Sequence, residues 1–271
     1  MARLRRLDAE LVRRGLARSR EQAGDLVAAG RVSVSGLPAA KSATQVDPAA
    51  PIVVARDDSD PGYASRGGYK LAGALDEFST AAEPLVVEGR DCLDAGASTG
   101  GFTDVLLRRG AARVIAVDVG YGQLVWGLQQ DDRVTVVDRT NVRELTPERL
   151  PYRPGLVVGD LSFISLRLVL PALVACADPG ADLVLMVKPQ FEVGRERLGS
   201  GGVVRDPGLR AEAVRDVARA AWGLQRGVRG VVASPLPGPS GNVEYFLWLR
   251  HGAEPLDAGQ LDRAVADGPR G

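Results

Sequence analysis

The sequence predicts an α/β protein in which a doubly wound, Rossmann-like sheet with helices on both faces follows a small α+β domain. Three observations predict it. From about residue 85 onward, apolar strand-length runs alternate with helix-length segments, the rhythm of parallel strands joined by crossover helices. The first of those runs breaks into a glycine-rich loop that opens a helix. The first 41 residues hold nine Lys/Arg against four Asp/Glu, and residues 42–62 reverse the sign, with Arg56 against Asp47, Asp57, Asp58 and Asp60. That reversal marks a domain boundary near residue 60.

In chain order, residues 3–15 place Leu4, Leu7 and Leu11 at helical spacing among arginines, and Gly15 stops that helix. A second helix begins at Ser19, an N-cap with Gln22 three residues on, and ends at Gly30. RVSVSG then alternates like a strand and turns at Gly36-Leu37-Pro38, and IVVA gives one more strand before an Asp/Gly/Pro-rich connector. The divisions expected are a domain over 1–60, a linker over 61–67, a large domain over 68–252 and a tail over 253–271 with a short final helix.

Within the large domain the order is RDCLDAG and FTDVLLRRG, ARVIAVDVG and QLVWGLQQ, RVTVVD, GLVVGDLSF and SLRLVLPALVACA, and ADLVLMVKP; LRAEAVRDVARAAWGL, VRGVVASPLP and EYFLWLRH complete it. Hydrophobic residues make up 45% of 271, enough to bury a core. Cys92 and Cys176 sit in apolar runs and are expected to be buried thiols. The charged start lacks the apolar segment of a secretory signal and no run reaches the ~20 residues of a membrane span, so a cytoplasmic protein is expected.

Ligands of such sheets lie at the carboxyl ends of the strands. The first strand ends in Asp94, Gly96, Ala97, Ser98, Thr99, Gly100 and Gly101. Structural glycines, a dinucleotide site and an S-adenosylmethionine site are all readings of this loop. Its D-x-G-x-x-x-G spacing departs from G-x-G-x-x-G and favours the last, with Asp94 available to an ammonium group. Asp118 closes the second strand, where an acid can accept hydrogen bonds from ribose hydroxyls. Asp138 and Asn141 follow the third strand, and for them adenine contact and a plain loop role stand equal. Lys70, Asp160, Lys188 and Glu244 are polar residues at or near other predicted element ends.

Taken together, those four resemble the Lys-Asp-Lys-Glu set of the FtsJ-like ribose methyltransferases. The stretches SRGGYKL, LDAGASTGGFT, DLSFIS, VKPQFEVG and SPLPGPSGNVEYFLWL, with the N-terminal RLDAELVRRGLARSR pattern of S4 RNA-binding domains, are similar to the TlyA family across residues 3–250. The connector PGYAS departs from the more charged linker of that family's nearest members. The resemblance implies a class I S-adenosylmethionine-dependent methyltransferase fold behind an S4-like domain. It also implies 2′-O-methylation of cytidines in 16S and 23S ribosomal RNA, with the 30S and 50S subunits as partners. Arg3, Arg5, Arg6, Arg14, Arg18, Arg20 and Lys41 would grip phosphates, fixing position rather than reading sequence.

On that reading the 2′-hydroxyl is a poor nucleophile and the sulfonium methyl is already activated, so catalysis is alignment and proton removal. Lys188 stands nearest the hydroxyl, as base if neutral or as electrostatic stabiliser if charged. Lys70 would lower its pKa, and Asp160 and Glu244 would raise it. No metal is expected, because His251 and two scattered cysteines make no ligand set, and a monomer is expected. The competing readings are a catalytically inactive RNA-binding assembly factor, a membrane-lytic protein of the kind the family's haemolysin label suggests, and an NAD-dependent dehydrogenase. The four site residues weigh against the first, segment length against the second and the loop spacing against the third.

Overall fold

The computed structural model describes residues 4–17, 19–55, 57 and 60–269, which divide into compact units at residue 62. The first unit runs β1 (Arg5–Arg6), α1 (Leu7–Arg13), α2 (Arg20–Ala28), β2 (Val32–Val34), β3 (Leu37–Pro38), β4 (Gln45–Val46) and β5 (Ile52–Val54). β1 pairs with β4, and β2 lies between β3 and β5. The helix expected from residue 3 therefore starts four residues later. Arg5 and Arg6 pair with Val46 and Gln45 as strand, which leaves Leu4 exposed, while Leu7 and Leu11 enter the core with Ala23, Val27, Val32 and Val46. Ser19 caps α2 as expected, its Oγ accepting from the Gln22 amide at 3.1 Å. The hairpin turns at Ser35-Gly36, both with positive φ (52° and 81°), the geometry that twists with its flanking strands.

The second unit comprises α3 (Arg66–Ser79), β6 (Asp91–Ala95), α4 (Gly101–Arg108), β7 (Arg113–Val117), α5 (Trp126–Gln129), β8 (Val134–Val137), β9 (Leu156–Gly159), α6 (Leu166–Cys176), β10 (Asp182–Val187), α7 (Pro189–Glu192), α8 (Pro207–Trp222), β11 (Arg226–Ala233), β12 (Tyr245–His251) and α9 (Ala258–Ala266). Its seven strands order as β11-β12-β10-β9-β6-β7-β8, with β12 antiparallel to both neighbours and the pairs from β10 to β8 parallel. Both faces of the sheet are covered, so its central strands are apolar on successive residues. Leu183, Leu185, Val187 and Leu247 pack on the side of α6 and α8, and Cys92, Val184, Met186, Phe246 and Trp248 on the side of α3 and α4. Strand order reverses between β6 and β9, and a crevice opens there at the strands' carboxyl ends.

Three expectations need correction. Residues 63–67 are part of the second unit rather than a linker: α3 begins at Arg66 and the Tyr63 ring meets Tyr69 edge-on at 5.1 Å. The tail is likewise integral, because Leu261 and Ala264 of α9 are buried in the core beside α8 and β11. The helix expected over QLVWGLQQ shrinks to four residues. Its upstream segment forms a loop instead, with the Gly120 and Gly122 amides donating to Asp118 and Asp138.

Candidate active site

Four of the proposed site residues, Lys70, Asp160, Lys188 and Glu244, gather at the carboxyl end of the sheet. Asp160 directly follows β9, and its amide donates to the carbonyl of Ala95 at 3.0 Å, which brings it beside the glycine loop of β6. Gly96, at φ 85°, faces the Asp160 carbonyl so closely that a Cβ would stand 2.6 Å from it, so a side chain there would displace the loop. Lys188 follows β10, and Glu244 precedes β12, whose register pairs Tyr245 with Val187. Lys70, one turn into α3, reaches the same end of the sheet.

Two ion pairs result. Lys70 Nζ lies 2.6 Å from Glu244 Oε2, both groups buried, and Lys188 Nζ lies 2.5 Å from Asp160 Oδ1. Lys188 also donates to Ser162 Oγ at 2.8 Å, and Gln190 Nε2 donates to Glu244 Oε1 at 3.3 Å. Buried charges persist when paired and hydrogen-bonded, and here each amine has its own carboxylate. The site thus holds two amines, each matched by a carboxylate.

The cofactor-loop residues surround a small cavity of about 110 Å³ lined by Ser65, Gly67, Gly96, Ala97, Ser98, Gly101, Phe102 and Asp160. A larger cavity, about 750 Å³, lies among α3, β11 and α9 and is lined by none of the four charged site residues. Convergence of polar groups rather than size identifies the site. Asp94 is fully buried below the loop: Thr103 Oγ1 donates to its Oδ2 at 2.7 Å, and Oδ1 meets no hydrogen-bond donor. Burial pushes this carboxyl up to about 7, with Asp160 and Asp118 adding to the shift and Thr103 opposing it. Asp118 accepts from the amides of Ser98 (2.8 Å) and Gly120 (2.7 Å), which ties the loop after β7 to the loop after β6. Gly100 stands at φ 96° as N-cap of α4, and the Thr99 carbonyl accepts from Val125.

Asp138 accepts from Gly122, while Asn141 caps a 3-10 turn, its Oδ1 accepting from Arg143 and its Nδ2 donating to Glu144. Local capping therefore accounts for Asn141 without a ligand.

Sequence reasoning assigned no role to Ser162, Phe163, Gln190 or Glu192, although DLSFIS and VKPQFEVG contain them. Phe163 is 91% exposed at φ 63°, and its ring lies 5.2 Å from that of Phe191. A bulky side chain in left-handed backbone is strained, and a bare aromatic one residue from Ser162 is out of keeping with a folding role. Exposure of an aromatic cannot be read from a motif; it depends on how the loop is folded.

The RNA-binding candidates belong to the first unit. Arg6 and Arg20 both pair with Asp8, at 2.7 and 3.0 Å. Arg14 is held internally by Glu10 and by the carbonyls of Ala50 and Pro48. Arg5 and Lys41 are exposed and enter no ion pair among the described residues. Arg3 and Arg18 lie outside the described residues.

Family models for the S4 domain and for the FtsJ-like methyltransferase match residues 5–52 and 63–251. Over 99% of this chain and all of that protein, the sequence is 59% identical to the 16S/23S rRNA (cytidine-2′-O)-methyltransferase TlyA of Mycobacterium tuberculosis. The chain belongs to the TlyA family. A second TlyA, the 23S rRNA (cytidine-2′-O)-methyltransferase of Campylobacter jejuni, is 33% identical over 69% of this chain and 70% of its own. The structure of a Streptococcus thermophilus protein described as a hemolysin superposes with a TM-score of 0.76 at 37% identity, covering 98% of this chain and 96% of that one. As a TlyA-family methyltransferase the protein uses S-adenosylmethionine as methyl donor. The unpartnered buried oxygen of Asp94 and the side-chain-free approach at Gly96 fit such a ligand. Among the described residues no helix is long and apolar enough to cross a membrane, and no group of three His, Cys, Asp or Glu is placed to hold a metal.

Proposed function

We propose that the protein methylates the ribose 2′-hydroxyl of cytidines in 16S and 23S ribosomal RNA within the cytoplasm, acting on both the 30S and the 50S subunit. The observation that carries this reading is the pairing of Lys188 with Asp160 and of Lys70 with Glu244 at the crevice beside the glycine loop. The choice of both subunits rests on the full-length match to the 16S/23S enzyme, against a partial match to the 23S one.

S-adenosylmethionine, when bound, would supply an electrophilic methyl on a sulfonium. Asp94 would hold its ammonium through the open Oδ1, Asp118 and Asp138 would take the ribose and adenine side, and Ala97 and Ser98, which line the cavity, would seat it. Lys188 meets the 2′-hydroxyl. Asp160 orients the Lys188 amine, and the Lys70–Glu244 pair behind it fixes the local field. Preorganised charge of this kind stabilises developing alkoxide without reorganisation at the moment of reaction. Phe163 offers an exposed ring on which an unstacked base can lie, the means by which single-stranded bases are commonly held. Among the described residues of the first unit, Arg5 and Lys41 are exposed cations without an ion pair and so are open to phosphate.

Tritiated methyl transfer to separate unmodified 30S and 50S subunits, with Lys188→Ala alongside, tests the reading. Label in ribose of both subunits is expected, with the variant slower by about 10²–10³-fold, the range for one lost group that stabilises developing charge. Label in one subunit would restrict the substrate; label in neither, with folded protein that binds the cofactor, would refute the proposal.

A further inference from the structure

The two loops that carry Lys188 and Asp160 are fastened together by a residue that belongs to neither ion pair. Glu192 closes α7, four residues after Lys188, and is 6% exposed. Its carboxylate accepts from Ser165 Oγ at 2.5 Å and from the Leu166 amide at 2.7 Å, and Arg167 Nε approaches it at 3.3 Å. Ser165 and Leu166 are the N-cap and first residue of α6, directly after the loop that begins at Asp160. A carboxylate there satisfies an orphan amide and complements the helix dipole.

α7 is four residues long, too short to hold a position by its own hydrogen bonds. Lys188 starts it, Gln190 bonds Glu244, and Phe191 meets the ring of Phe163. The segment 161–165 includes Phe163 in strained left-handed backbone, which persists only where its surroundings hold it. Burial raises the pKa of the Glu192 carboxyl, against the hydrogen bonds from Ser165 and Leu166. A surface ion pair with Arg167 would not need that burial.

We propose that Glu192 is a positioning residue: by locking the 161–167 segment to α7 it sets Asp160 against Lys188 and Phe163 beside the substrate. It rests on the methyl-transfer reading above for its consequence, though the clamp can be measured without it. Both ends of the segment are then fixed, by the Asp160 amide on β6 and by Glu192 on α6. The strained residue lies between them.

Three variants test this: Glu192→Ala, which removes both acceptors; Glu192→Gln, which keeps one; and Ser165→Ala, which removes one donor with little change in volume. Hydrogen exchange of the full chain is expected to speed up over 160–167 in Glu192→Ala and to leave β6 and α4 unchanged, with Glu192→Gln and Ser165→Ala intermediate. On ribosomal subunits, kcat is expected to fall about 10–100-fold, the scale of a misplacement near 1 Å, with S-adenosylmethionine affinity unchanged and part of the loss restored in Glu192→Gln. In the Glu192→Ala/Phe163→Ala double variant the losses should be clearly less than multiplicative, since one residue acts through the other. Unchanged exchange over 160–167, or fully multiplicative losses, overturns the proposal while leaving the function intact. Should the wild type label no ribosomal substrate, the functional reading fails alone, and exchange decides whether the clamp exists.

Discussion

If Asp94 holds the cofactor's ammonium as proposed, a single buried group couples cofactor binding to pH. Its carboxyl is pushed up to about 7 by burial, from an ordinary value of 3.8. Between those values the folded protein keeps a proton that the unfolded chain has lost. The group's contribution to stability therefore falls as pH rises from about 4 to 7. An ammonium pairs with the carboxylate form, so cofactor affinity should move the opposite way. Titration calorimetry is expected to show S-adenosylmethionine binding several-fold more tightly at pH 7.5 than at pH 6. Asp94→Asn should flatten that difference and weaken binding at pH 7.5 by about 10–100-fold, the worth of a charge-assisted hydrogen bond. A pH difference that survives in the variant would remove Asp94 from the ammonium's site. Asp94 could be singled out from sequence because an acid before a glycine turn is a chemical statement in itself. Phe163 and Glu192 could not, because the roles proposed for them rest on exposure and on a contact 26 residues away in sequence, between Glu192 and Leu166.

At the scale of elements, what the sequence disclosed follows how much of each element's pattern is local. β10 and β12 are apolar at every core position, and their strand character follows from lining a sheet covered on both faces. The N-terminal strand β1 has two residues and exists through its pairing with β4 forty residues on, so periodicity alone extended α1 through it. α5 failed the other way: the helix-like run over 123–130, which holds Gly127, kept only Trp126–Gln129, behind a loop whose Gly120 and Gly122 amides bond Asp118 and Asp138. α9 was the most underread. A short final helix was expected, but that it covers α8 and β11, with Leu261 1% exposed, depended on the chain returning to the edge of the sheet. Leu261→Ala is expected to lower unfolding free energy by about 2–5 kcal/mol, the range for a buried leucine, measured by denaturant titration of the full chain. A loss below about 0.5 kcal/mol, the size of a surface substitution, would mean that α9 is a peripheral appendage after all.

For the molecule as a whole, neutrality conceals a division of labour. Residues 1–62 hold ten basic against eight acidic side chains, which leaves 24 against 26 for the rest. The catalytic unit thus carries slight negative charge, so attraction to a polyanion has to come from the local arrangement of cations rather than from net charge. In the first unit the arginines divide further. Asp8 holds Arg6 and Arg20, and Glu10 holds Arg13 and Arg14, so these cations are partly neutralised within the fold. Arg14 also bonds two carbonyls of the 48–50 turn, which makes it a structural tie between α1 and the chain beyond β4. The sequence reading gave Arg6, Arg14 and Arg20 the same phosphate-gripping role as Arg5, because pairing depends on which acid lies one helical turn away and on what the loops bring back. The distinction predicts different failures. Arg5→Ala with Lys41→Ala should weaken binding to ribosomal subunits and lower the slope of log affinity against log salt by about one per lost phosphate contact, with stability unchanged. Arg14→Ala should instead lower the unfolding midpoint and leave the salt slope near that of the wild type. Binding measured across a salt series, beside thermal unfolding of the same proteins, checks both. A reversed outcome, with the slope following Arg14 and stability following Arg5 and Lys41, would place the phosphate grip on α1 and make the exposed pair incidental.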